Sequence, residues 1–296
     1  MIGQQQKDQA EKWFKDLRDK ICKEFEILEE DHLKLAPKSD VAAKKFERKN
    51  TIRETDNKKD GGGGVMATLK GGRIFEKVGV NVSAVYGNLA PEAQKSITAR
   101  KAIPELKDDP RFWASGISLV AHMRNPHTPA IHLNTRMFWT PHAWWFGGGT
   151  DLNPSIENDD DTNFFHQILK KKCDKHNQSY YKKFKEWADE YFFIPHRKVA
   201  RGVGGIFFDD LCTGDWEKDF SFTRDVGEAF LEAYLPIVKK HYLKDWTLED
   251  KKIQEQKRGL YAEFNLVYDR GTKFGLQTGH NIDAVLMSLP PTAEWV

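Results

Sequence analysis

The sequence predicts an α+β fold: a large, mostly antiparallel β-sheet flanked on both faces by helices, in a single domain spanning residues 1–296. Three observations lead there. Strand-like runs succeed one another between residues 65 and 149, without the regular strand–helix alternation of a doubly wound fold. Helical periodicity is concentrated near the N-terminus and in the second half. The 296 residues, with nine Trp and 12% aromatic content, are enough to bury one bulky core.

Residues 1–60 read as an N-terminal helix and a charged connection. From Asp8 to His32, apolar Trp13, Leu17, Ile21, Phe25 and Leu28 recur at three- and four-residue steps, the signature of an amphipathic helix. Pro37 to Asp60 is charged and without period, which predicts a mobile connection. Residues 61–296 supply the sheet and its helical covers. Val65–Leu69 and Arg73–Val78, joined through Gly71-Gly72, read as a hairpin that Val80–Tyr86 continues. A second hairpin spans Ser118 to Arg136 and extends through Trp139. His142–Gly149 adds a strand, and Val203–Phe208 is an apolar run suited to a buried one. Helices are expected over Asp160–Lys175, Gln178–Tyr191, Phe220–His241 and Leu248–Phe264, with a last strand over Ala284–Leu289.

Composition excludes several classes of function. The 46 basic and 44 acidic residues nearly cancel, leaving +2, so there is no global field for nucleic acid. The three cysteines Cys22, Cys173 and Cys212 are far apart and outside any CxxC, which argues against a disulfide framework or a zinc knuckle. No apolar run approaches the roughly 20 residues needed to span a bilayer. A mixed-charge N-terminus without secretory character makes the cytoplasm the expected compartment.

The hairpin within GISLVAHMRNPHTPAIHLNTR carries the strongest chemical signal. Side chains alternate along a strand, so Ser118, Val120 and His122 share one face, as do His132, Asn134 and Arg136. The intervening Asn125-Pro126-His127-Thr128-Pro129 is turn chemistry. Centred near His127, the hairpin sets His122 opposite His132 and Ser118 opposite Arg136. Ordinary wet sheet faces are rich in Lys, Glu and Thr. This one gathers groups that bind anions and move protons.

Other provocative segments have plainer readings beside them. Gly61–Gly64 lacks a following GK[ST], so a phosphate loop is not indicated. Trp144-Trp145-Phe146-Gly147-Gly148-Gly149 suits either core packing or close approach of a flat ligand. Asp159-Asp160-Asp161 fits the start of a helix better than a metal. No HExxH or HxH occurs among the ten histidines, although His122 and His132 would share an ion if His166 and His196 joined them. Asp209-Asp210 ends an apolar strand, either capping a turn or serving a site. Asp269-Arg270 pairs an acceptor for N–H groups with a cation for carboxylates, or forms a turn before Gly271.

Together these segments resemble the oxygen-dependent coproporphyrinogen III oxidase family. The resemblance runs through GVNVSAVYG (79–87), the hairpin motif, WWFGGGTDLNP (144–154), RGVGGIFFDDL (201–211), YLPIV (234–238) and EFNLVYDRGTKFGLQTG (263–279), covering nearly the whole chain. It implies a homodimer with a broad sheet, a deep cleft and coproporphyrinogen III as substrate. Two propionates would become vinyl groups, giving protoporphyrinogen IX with O2 as co-substrate and no required cofactor. Substrate contacts carry over to Ser118, Asn134, Thr135, Arg136, Gly279, His280 and Asn281. His132 matches a proton donor, and Asp269 and Arg270 match a pair that holds the pyrrole N–H groups and a propionate. A divalent metal, if bound, would take His122, His132, His166 and His196. Where the family usually has Gly-Gly-Arg, this chain reads Gly279-His280-Asn281. A tetrapyrrole carrier without turnover and a metal-dependent oxygenase are the competing readings.

Overall fold

The computed structural model describes residues 2–54, 60–277 and 281–295. Its centre is one seven-stranded sheet in which every neighbouring pair is antiparallel: β1 (Glu47–Glu54), β2 (Asp60–Lys70), β3 (Phe75–Asn88), β4 (Arg111–Met123), β5 (Ala130–Trp139), β6 (Trp144–Asn153) and β9 (Gly205–Leu211). A two-stranded ribbon, β7 (Phe193–Ile194) and β8 (Val199–Ala200), lies apart from it. Eight α-helices are described: α1 (Gln4–Leu35), α2 (Pro91–Lys101), α3 (Asp159–His176), α4 (Tyr180–Tyr191), α5 (Trp216–His241), α6 (Leu248–Val267), α7 (Arg270–Gln277) and α8 (Ile282–Val285). The expected α+β architecture is therefore present. No helix among the described residues is long and apolar enough to cross a membrane.

The two faces of the sheet differ in kind. One packs Ile117, Leu119, Ala121, Ile131, Leu133 and Met137 against α1 and α5, and all six are fully buried. Phe14, Leu17, Ile21, Phe25 and Leu28 supply the apolar stripe of α1, as its periodicity predicts. Near the end of α1, Glu29 accepts hydrogen bonds from the backbone of Arg73, Ile74 and Phe75. Its carboxylate approaches so closely that a Cβ on Gly72 would lie 2.5 Å from it, which explains one glycine of the β2–β3 turn.

The other face is only partly roofed. A small cluster of Leu89, Ile97, Ile103, Leu106, Phe112 and Trp145 packs the region of α2 against it. Elsewhere α6 and the C-terminal segment approach, with Met287 over Gly79 and Lys77 donating to the Leu289 carbonyl. Between these covers the polar side of β3–β6 and β9 stays partly exposed at Ser118, His132, Asn134 and Arg136, and this open face is called the cleft below.

Three expectations need correction. The connection before residue 60 contains β1, whose side chains are largely exposed, and charged residues suit such an edge strand although they hide its periodicity. The Ala284–Leu289 run is not a strand. It forms α8 and a 3-10 turn, because a short apolar run is equally consistent with a buried helical turn. Helix α2 was unanticipated, since it buries only Ile97 and has no apolar stripe.

Candidate active site

The hairpin register differs from expectation by two residues. Val120 lies opposite His132, Ser118 opposite Asn134 and Gly116 opposite Arg136. A slip of two preserves the face of every side chain, whereas a slip of one would have inverted them all. Ser118, His132, Asn134 and Arg136 therefore do share a face. Asn81, paired with Ser118, joins them, and its buried Oδ1 has no hydrogen-bond partner among the described residues. The same alternation in GVNVSAVYG would have revealed it.

His132 is held from behind. Its Nδ1 lies 2.9 Å from Oδ1 of Asp151, its cross-strand partner on β6. Arg201 donates to the same carboxylate, with Nη2 2.7 Å from both oxygens, and Asn153 adds a bond at 3.0 Å. Burial opposes ionisation of Asp151, but Arg201 and His132 outweigh it and hold the carboxyl down to about 2. An ionised Asp151 accepts from Nδ1–H, which leaves Nε2 of His132 for a group in the cleft. Arg201 is itself enclosed by the rings of Phe192, Tyr261 and Phe264 at 4.3–4.6 Å.

About 14 Å along β5, at ~3.4 Å per residue, stands Arg136. It donates to Asn134 at 3.0 Å and pairs with Asp209 at 2.9 Å. This ion pair lies flat over β6: a Cβ on Gly147 would come within 2.7 Å of Asp209 and 2.9 Å of Arg136. Asp209 also meets Arg100 at 3.2 Å and Arg270 at 3.9 Å. Burial pushes the Asp209 carboxyl up, yet Arg136, Arg100 and Arg270 together hold it below its ordinary value.

Arg270 begins α7 and lies over the rings of Tyr191 and Phe207. The neighbouring Asp269 accepts from the Tyr191 hydroxyl at 2.9 Å and from Thr272 N–H at 2.6 Å. Burial and Asp269 push the Tyr191 phenol up to about 12, so it remains a donor.

Other predicted residues fall elsewhere. Thr135 points to the core face and is fully buried, as strict alternation with Asn134 and Arg136 requires, so its hydroxyl cannot reach the cleft. The Asn281 side chain caps α8 by accepting from Ala284 N–H. Gly279 and His280 lie outside the described residues.

The four histidines do not assemble into a metal site. His122 is buried against the Ser288 carbonyl, and desolvation pushes its imidazole down to about 3. His166 bonds to the Val203 carbonyl and Tyr181, and His196 to Tyr268 and Glu263. Each has protein partners on a different element from His132. No group of three or more His, Cys, Asp or Glu suited to a metal occurs among the described residues. Asp159–Asp161 open α3, as expected, with Asp161 bound by Lys240 and His241.

The sequence does not single out Asp151, Arg201 or Tyr191, and it leaves Asp209 open between a turn cap and a site. Asp151 was accessible in principle, since Trp145, Gly147, Gly149 and Asp151 alternate on one face. Arg201 was not, because its partner lies 50 positions away. A groove of about 840 Å³ between α1 and the ends of β2–β5 contains none of the cleft residues described above.

A broad antiparallel sheet whose open face combines arginines, a carboxylate-backed imidazole and an aromatic wall presents the chemistry that pairs with carboxylates. Sequence comparison gives the particular family. A coproporphyrinogen III oxidase family model matches residues 9–296, and the chain belongs to that family. It is 48% identical over 289 residues to the oxygen-dependent coproporphyrinogen-III oxidase of Rickettsia peacockii (strain Rustic), covering 98% of each chain. It is 47% identical over 294 residues to the enzyme of the same name in Rickettsia bellii (strain RML369-C), covering 99% of this chain and all of that one. The Rickettsia conorii enzyme of that name is 48% identical over 289 residues.

Proposed function

We propose that this protein is an oxygen-dependent coproporphyrinogen III oxidase, converting two propionates to vinyl groups and yielding protoporphyrinogen IX. The observation that carries the reading is the single sheet face on which Arg136, Asn134 and Ser118 adjoin the His132–Asp151 pair, within a chain that matches the family almost end to end. Each conversion takes R–CH2–CH2–COO⁻, O2 and H⁺ to R–CH=CH2, CO2 and H2O2. Two electrons pass from substrate to oxygen.

Arg136 and Arg270 bind propionates as bidentate partners. Asp269 gathers inward-pointing pyrrole N–H groups and promotes loss of one proton, and the electron-rich ring then reacts with oxygen. The resulting peroxide removes a propionate β-hydrogen as CO2 departs. His132 handles a proton through Nε2, with Asp151 holding the ring by its Nδ1. The substrate supplies the electrons, so the chemistry asks no organic cofactor or redox metal of the protein. Cytoplasmic placement and a homodimer accompany this reading. Unpaired Cys22, Cys173 and Cys212 fit a reducing compartment.

The test is anaerobically prepared coproporphyrinogen III given oxygen, with and without chelator, followed by vinyl product and CO2. Equal product in both arms supports the reading. No product would indicate a carrier, and chelator-sensitive turnover a metal-dependent oxygenase.

A further inference from the structure

Beside Arg136, β9 carries one extra residue relative to β6. Gly148 pairs with Phe208, but Phe146 pairs with Leu211, so a β-bulge occupies Asp209-Asp210. Asp210 has φ 59°, a left-handed conformation uncommon outside glycine. The bulge sends the two carboxylates to different partners. Asp209 turns toward Arg136, whereas Asp210 turns toward α2, meeting Arg100 and Lys101 at 3.2 Å each.

Four cations thus converge on few carboxylates, and Asp209 alone serves three guanidinium groups. The exposures are unequal in a telling way. Side chains of Arg100, Arg136 and Arg270 are 38%, 34% and 52% exposed, while Asp209 is 5% exposed. The negative charge lies beneath, and the positive groups remain open above it. Arg100 and Lys101 also lie over the ring of Trp145, which stacks on Phe138 of the cleft-facing row.

We propose that Arg100, with Lys101 beside it, is a specificity-determining residue that reads a substrate carboxylate at the α2 end of the cleft, while Asp209 orients the guanidinium groups for it. This rests on the oxidase reading and names how that site selects a polycarboxylate. A propionate arriving there completes the donor set of cations whose protein partner is shared. Helix α2 thereby contributes a subsite, with Ile97 anchoring it and its basic last turn at work.

The experiment compares wild type with Arg100→Gln, Arg100→Lys and, separately, Lys101→Gln. Steady-state turnover of coproporphyrinogen III is measured alongside fluorescence binding of coproporphyrin III and its tetramethyl ester. Arg100→Gln should raise KM and the Kd for the free acid about tenfold, or about 1.4 kcal/mol, with kcat within twofold and ester binding unchanged. Arg100→Lys should recover most of that loss, and Lys101→Gln should show a smaller shift of the same pattern. Unchanged KM and free-acid Kd with a lower melting temperature or lower kcat would make Arg100 a brace for Asp209 and overturn the proposal. Equal weakening of acid and ester binding would overturn it too. Absence of turnover in wild type would instead sink the oxidase reading, with the binding arms still deciding the subsite.

Discussion

The two faces of the hairpin β4–β5 are built from interleaved residues of one segment, yet they obey different rules. On one, Ile131, Leu133 and Met137 are sealed against helices and held by packing. On the other, His132, Asn134 and Arg136 remain partly open, each committed to a polar neighbour. On the proposed function, the core face positions and the cleft face reacts. A change on the first should cost stability, and a change on the second should cost activity.

The sharpest challenge to that division comes from Arg201, which supports the cleft face from a buried place. Removing one partner of a buried ion pair strands the other charge. Arg201→Ala should therefore lower unfolding stability by about 3–5 kcal/mol in denaturant titration, and it should also impair turnover. Next, Leu133→Ala on the core face should cost about 2–5 kcal/mol of stability, while kcat/KM per folded molecule stays near wild type.

Acid should act through the cleft face. The folded-state pKa of Asp151 is depressed to about 2, so its contribution is present above about pH 4 and disappears as pH falls toward 2. Its loss amounts to about 2 kcal/mol, and Asp151→Asn should flatten that part of the stability profile. The smallest effect is expected of Ser118→Ala. Loss of one hydroxyl contact should raise KM by a factor corresponding to about 0.5–1.5 kcal/mol, with an unchanged melting temperature.

What the sequence disclosed follows the same division. Alternation with period two identified both faces of β4 and β5, because one face is uniformly apolar and the other is not. It left the register open by two residues, since that slip moves no side chain to the wrong side. Strict use of the period places the Thr135 side chain on the core face and that of Asn81 on the polar one. Strand β1 escaped because an exposed edge needs no apolar pattern, and α2 because its role lies in Arg100 and Lys101 more than in packing. The Asp151–Arg201 and Asp209–Arg100 pairs join positions 50 and 109 apart, respectively, and no local pattern encodes such meetings. The histidines looked equivalent in sequence, but their neighbours separate them: His122 is desolvated, His166 and His196 have other partners, and His132 alone of the four lines the cleft with a carboxylate behind it.

The most direct test of the account is kcat/KM for coproporphyrinogen III under oxygen, measured side by side for wild type, Arg136→Ala and Leu133→Ala at a temperature where all three are folded. Arg136→Ala should lose about a hundredfold, or about 2.7 kcal/mol, with a modest fall in melting temperature because Arg100 and Arg270 still face Asp209, while Leu133→Ala melts earlier but turns over normally. Full activity in Arg136→Ala, or equal catalytic loss in both variants, would contradict the assignment of chemistry to the polar face.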